Sequence, residues 1–177
     1  MKKLLFASLI LMSAAFSANA QKGSILLYGN VGFTSTTPPV GDGTTSFNLT
    51  PGIGYQFNDN WTAGLNFNVE TVTDQPTVFG VGPFIRYAKP LSDIFSVYGQ
   101  FDATYTSYGN SVNGFGAKIW PAIGVNVHNG LALNFGFGSL GYSSVGASGA
   151  KSSTFGLSFG SGATFGISKN FGGGKKK

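Results

Sequence analysis

From Ser24 onward the chain alternates apolar with polar or very small side chains at a period of two, in runs separated by Gly, Pro, Asn, Asp and Ser. In an extended strand that period sends successive side chains to opposite faces. Eight runs are predicted as strands, at about 24–33, 46–57, 61–72, 77–87, 94–106, 114–127, 131–141 and 154–171. The second is the most regular, with Phe47, Leu49, Pro51, Ile53, Tyr55 and Phe57 against Asn48, Thr50, Gly52, Gly54 and Gln56. The last opposes Phe155, Leu157, Phe159, Phe165 and Ile167 to a face of Gly, Ser and Thr, and a bend is expected near Gly160 to Gly162. Pro51 and Pro83 lack the amide hydrogen a ladder needs, so bulges or broken pairing are expected there.

The connections after runs two, four and six are short, whereas those after one and seven are long and rich in Ser, Thr, Gly and Pro. Every second connection of an up-and-down meander lies at the same end, so short and long connections segregate. Only the short stretch Thr73 to Pro76 departs from the rule. The expected fold is an all-β, eight-stranded antiparallel up-and-down barrel, and membrane barrels show this asymmetry of turns and loops. Thr34 to Thr45, Ser107 to Asn113 and Tyr142 to Ser153 are expected as polar loops.

Composition decides which face is outside. The chain holds 17 Phe, 7 Tyr, 2 Trp and 28 Gly, with only 10% charged residues. An eight-stranded interior is just wide enough to be filled by side chains, and the bulky apolar face would overfill it. The face of Gly, Thr, Ser and Asn fits a narrow lumen. The reading is therefore a transmembrane barrel with its apolar face to lipid; the alternative is a secreted soluble sandwich or lipocalin-like barrel. Tyr55, Phe57, Trp61, Tyr87, Phe95 and Phe171 at one end, with Phe33, Phe47, Tyr105, Phe115 and Phe137 at the other, are expected as interfacial girdles.

Met1 to Ala20 begins with Lys2 and Lys3, continues through a short apolar run and ends Ala18-Asn19-Ala20, the pattern of a cleavable signal peptide. The organisation expected is a signal at 1–20, a barrel at 21–171 and a Gly/Lys tail at 172–177. Removing Lys2 and Lys3 takes two charges from the formal +5, and the remaining lysines are scattered or in the tail, so no nucleic-acid partner is expected. With no Cys and a single histidine, His128, neither a metal site, a cofactor nor a Ser/His triad is expected. A lipid-active enzyme needs a base and a nucleophile together, and none are gathered here. The expectation is a non-enzyme.

Four charges fall on the expected inner face: Glu70, Arg86, Asp102 and Lys118. Folding strands five and six about Asn110 places Asp102 beside Lys118, and a cross-strand ion pair is expected. Glu70 is expected at a similar height, within reach of Lys118 across the lumen, while no partner is assigned to Arg86. Tyr28, Phe84, Tyr98 and Trp120 also point inward. The interior then reads as a packed polar plug, a water-filled constriction, or a solute-binding or gating site.

The signal, the eight runs, the stretch Ala117 to Asn126 around Pro121, the run NFGFGSLGY from Asn134 to Tyr142 and the ending FGISKNF together resemble the small outer-membrane β-barrel proteins of Gram-negative bacteria. The chain looks like the porin-like family allied to the OmpA membrane domain, over its whole mature length. The resemblance implies contact with outer-membrane lipid, export by the general secretory route, and delivery by periplasmic chaperones to the barrel-assembly machinery. That machinery reads a terminal aromatic, which Phe171 supplies, although Gly172 to Lys177 follow it. Two functions fit: a structural or interaction protein of the cell envelope, or a narrow porin-like channel for ions or small solutes.

Overall fold

A computed structural model of the protein describes residues 22–147 and 150–172, without the side chains of 161–163. The expected signal peptide at 1–20 and the tail beyond Gly172 lie outside the described residues. Eight strands follow one another: β1 (Ile25–Thr36), β2 (Thr44–Gln56), β3 (Trp61–Val72), β4 (Val78–Pro90), β5 (Phe95–Gly109), β6 (Val112–His128), β7 (Leu131–Ala147) and β8 (Ala150–Phe171). They close into one barrel in chain order, every neighbouring pair antiparallel. The turns after β2, β4 and β6 lie at the same end as Ser24 and Gly172, here called the terminal end; the other turns lie at the distal end.

Each expected run becomes a strand, and several reach further than their hydrophobic pattern. Two of the three expected distal loops are mostly ladder. Residues 107–113 form a tight hairpin in which Asn110 and Ser111 both take positive φ, as a two-residue turn matched to strand twist requires. Residues 142–147 continue β7 and 150–153 begin β8, with Tyr142 opposite Phe155 and Ser144 opposite Ser153. Their serines blur the alternation, but the backbone still pairs. At the terminal end, Asn129 and Gly130 supply the same kind of turn between β6 and β7.

The prolines act differently from one another. At Pro51 the β2–β3 ladder stops after Leu49↔Val69 and resumes at Gly52↔Asn66 without a change of register. At Pro83 the β4–β5 ladder is interrupted in the same way, between Val81↔Tyr105 and Phe84↔Asp102. Neither is a bulge. The register shift falls beside Pro121 instead, where Ile119 pairs with Leu140 but Ala122 pairs with Gly136, giving β7 one extra residue. One extra residue exchanges the faces of a strand: Leu131 and Leu133 are exposed outward below it, Leu140 and Tyr142 above it. A larger offset in β8 between Phe159 and Thr164 coincides with positive φ at Gly160, where the bend is expected.

The apolar side chains are outside. Val31 and Phe33 are each 70% exposed, and Phe155, Leu157 and Phe159 are 72–75% exposed. Arg86, Gln100, Asp102, Phe84 and Tyr98 are buried within the cylinder. Closure between first and last strands is confined to the terminal end, from Ile25↔Phe171 to Gly29↔Ile167. Among the described residues, no β1–β8 pair continues the seam beyond Gly29.

Inward glycines seat the inward rings. A Cβ on Gly52 would lie 2.5 Å from the Tyr28 ring, and one on Gly64 would lie 2.7 Å from Phe84 and overlap the Ile53 carbonyl oxygen. Gly64→Ala is therefore expected to lose about 1–3 kcal/mol of stability through overpacking. Gly156→Ala, where an added Cβ meets nothing within 4 Å, should leave the denaturation midpoint unchanged. Urea titration of the refolded barrels checks both.

Candidate functional site: the barrel lumen

The ladders carry the inward residues of β3 to β6 to a common level. Arg86 is opposite Gln100, which is opposite Trp120; Phe84 is opposite Asp102, which is opposite Lys118. Tyr28 reaches the same level from β1 across Gly52, itself opposite Asn66. Because side chains two apart on a strand share a face, Gln100 and Asp102 stand side by side in the lumen.

Asp102 is held by neutral donors. Its Oδ1 accepts from Asn66 Nδ2 at 2.5 Å and from Gln100 Nε2 at 2.7 Å, and its Oδ2 accepts from Trp120 Nε1 at 2.5 Å. Gln100 Nε2 also donates to the Tyr28 hydroxyl at 2.7 Å, and that hydroxyl donates to Asn66 Oδ1. Arg86 Nε donates to Gln100 Oε1 at 2.7 Å. Gln100, 1% exposed, thus bridges the guanidinium and the carboxylate without the two touching.

The rest of the Arg86 headgroup is enclosed by rings. Its guanidinium carbon lies 4.2 Å from the Tyr98 centroid, 4.6 Å from Tyr28 and 5.9 Å from Phe84. Ring faces attract a cation by about 2 kcal/mol where water is excluded, which offsets part of the cost of burying it. Tyr28 stands edge-on to Phe84 at 5.3 Å, and Tyr98 edge-on to Trp120 at 5.6 Å. Arg86 Nη2 is buried and makes no hydrogen bond.

The sequence places Asp102 opposite Lys118 correctly, but the expected ion pair does not form. Asp102 turns to three donors, Asn66 on β3, Gln100 on its own strand and Trp120 on the strand of Lys118, and the Lys118 ammonium lies 6.0 Å from the Trp120 centroid. Fixing a flexible lysine costs side-chain entropy, whereas the indole and amides are already held by packing. Nor does Glu70 join Lys118. It lies opposite Asn48 and Val78, beyond the Asn68–Gly80 level and away from the Arg86–Asp102 network. Arg86 gains in Gln100 and the rings the surroundings left unassigned. Gln100 and Asn66 are the site residues that sequence reasoning passes over; each is an amide on the inner face, and Gln100 is the register partner of Arg86.

Distal to this level the lumen opens. A cavity of about 350 Å³ is lined by Tyr28, Tyr98, Gln100, Asp102 and Trp120 of this level together with Asn48, Asn66, Asn68, Thr104 and Lys118, with none of Arg86, Gln56 or Thr62 on its wall. A second, of about 450 Å³, shares Asp102, Thr104 and Lys118 and runs along β6 to β8. Among the described residues no three His, Cys, Asp or Glu side chains gather as metal ligands. His128 sits exposed as the last residue of β6, beside Asn129 of the terminal turn. Of the girdle positions, Tyr55, Phe57, Trp61, Tyr87, Phe95 and Tyr105 are exposed outward, Phe171 is half-buried, and Trp61 meets Tyr87 at 5.0 Å.

No family model matches the chain, and no curated protein matches it either. Among solved structures it is similar to the Yersinia pestis outer membrane protein Ail in a phospholipid bilayer nanodisc, at 14% identity over 85% of this chain and 100% of that one, with a TM-score of 0.39.

Asp102→Ala leaves Arg86 without a countercharge and strands three donors, so a loss of about 3–5 kcal/mol is expected. In an Arg86→Met background the same substitution should cost clearly less. Lys118→Met, which breaks no hydrogen bond, should stay within about 0.5 kcal/mol of the parent. Denaturant unfolding of the four variants measures the coupling.

Proposed function

We propose that this protein is an integral outer-membrane barrel with a structural or interaction role, its lumen plugged at the Arg86 level. The observation that carries the reading is the inverted distribution of side chains: Val31, Phe33, Ile53, Leu65, Phe101 and Ile119 are exposed on the outside while Arg86, Gln100 and Asp102 are buried inside. In water such a surface drives aggregation; in hydrocarbon it is the favourable one, and the seven ladders between chain neighbours pair their backbone groups, with the β1–β8 seam paired from Ile25 to Gly29. The exposed Tyr and Trp near the strand ends suit the headgroup boundary.

On this reading the chain is exported, guided by periplasmic chaperones and inserted by the barrel-assembly machinery. The β7–β8 hairpin, with Ser143, Ser144, Ser152 and Ser153 near its tip, is the element best placed to meet partners outside the cell. The plug is supported by the ring enclosure of Arg86 and the burial of Gln56, Thr62 and Gln100. The channel reading draws support from the distal cavity, which holds Lys118.

The folded protein is expected in the outer-membrane fraction, migrating differently when boiled and unboiled. Identical migration and a soluble fraction overturn the barrel anchor. In planar bilayers the parent is expected to give no discrete openings, and Arg86→Ala/Tyr98→Ala to give small ones. Regular conductance by the parent replaces the plug with the channel.

A further inference from the structure

Lys118 is set apart from the other charges of the lumen. It points inward, yet its side chain is exposed, because it faces both cavities rather than packed neighbours. Glycines leave space near it: Gly141 is its register partner on β7, and added Cβ atoms at Gly116 on its own strand and Gly156 on β8 would meet no atom closer than 3.8 Å. The carboxylate opposite is already committed to Asn66, Gln100 and Trp120. The distal lumen therefore presents an ammonium with no ion-pair partner among the described residues, in a wall of amides and hydroxyls whose one carboxylate, Asp102, is turned to its own three donors.

Those neighbours are donors suited to anionic oxygens. Asn48 and Asn68 line the first cavity, and Ser139, Ser143 and Thr154 the second. The wall beside the first cavity is also where the β1–β8 ladder has ended, and Asn30, Phe165 and Gly166 line it there. Outside that part of the seam stand Val31, Phe33 and Phe165, each 68–70% exposed. A ligand with a polar anionic head has two approaches, from the distal mouth or sideways past these apolar side chains.

We propose that the distal lumen is a binding cup for a phosphate group, with the Lys118 ammonium as its charge partner and the surrounding amides and hydroxyls as further donors. An ammonium is a compact point charge that binds phosphate without the planar match a guanidinium needs. The closed Arg86 level forms the floor, so the cup binds rather than conducts. The phosphate comes either from a soluble ester or from the headgroup of a lipid whose chains lie against Val31, Phe33 and Phe165. Only the lipid source rests on the membrane reading above.

Trp120 stands beside Lys118 and gives the optical signal. In a Trp61→Phe variant it is the sole tryptophan, since the sequence holds two. The refolded full barrel in maltoside detergent is titrated with inorganic phosphate and, separately, with lysophosphatidylglycerol. A saturable change in Trp120 emission with either is expected, weakened about tenfold or more by Lys118→Met and retained by Lys118→Arg. Response to inorganic phosphate identifies the soluble source, and response to the lysolipid alone identifies the lipid. No saturable change with either probe, or an equal one in Lys118→Met, overturns the cup. Heat-shifted migration of each variant shows that it is folded, so failure to bind is distinct from failure of the barrel.

Discussion

Eight strands enclose a narrow cross-section, and the inward side chains compete for it. Tyr28, Phe84, Tyr98 and Trp120 project into nearly the same level, and there is room for Tyr28 and Phe84 because Gly52, Gly54 and Gly64 leave the neighbouring wall bare. A methyl group on that wall would collide with a ring. The division of space between large and absent side chains also sets the surroundings of Arg86, whose guanidinium lies between two tyrosine faces instead of beside an acid. The lumen is thus crowded around Arg86, and it opens where Tyr28, Tyr98 and Trp120 share the wall with Asn48, Asn68 and Thr104.

The polar chemistry inside follows from the scarcity of water. A carboxylate in such a place is stabilised by hydrogen bonds from groups already held in position, and Asp102 finds three. Gln100 accepts from the cation and donates to the anion, so opposite charges share one network while remaining apart. Direct contact between Arg86 and Asp102 would release the glutamine amide, which would then be buried and unpaired. The amide is as necessary to the network as either charge.

The fold was legible because alternation is a property of single strands, and eight strands alternated in order. The register of Asp102 against Lys118 was legible too, since a tight hairpin at Asn110 fixes it. What the register did not reveal was where each side chain ends. Lys118 has four rotatable carbons and a choice of directions, and the partners of Asp102 were decided by Asn66 and Trp120 on other strands and by Gln100 two positions away. The bulge beside Pro121 escaped for a related reason: Pro51 and Pro83 carry the same missing amide hydrogen, yet only Pro121 faces a strand, at Gly136 to Gly138, supple enough to take in another residue. The serine-rich tips of β7 and β8 read as loops because pairing of the backbone leaves no mark on a hydrophobic pattern.

The join between the first and last strands holds only over Ile25 to Gly29, at the rim where both strands begin and end. Every other ladder links strands adjacent in the chain, so each can zip up from its own turn with a small entropic toll. This join must bring together segments separated by almost the whole polypeptide. It is the clasp of the bracelet: the last fastening to snap shut as the sheet curls, and the first to fray when the ring is pulled open.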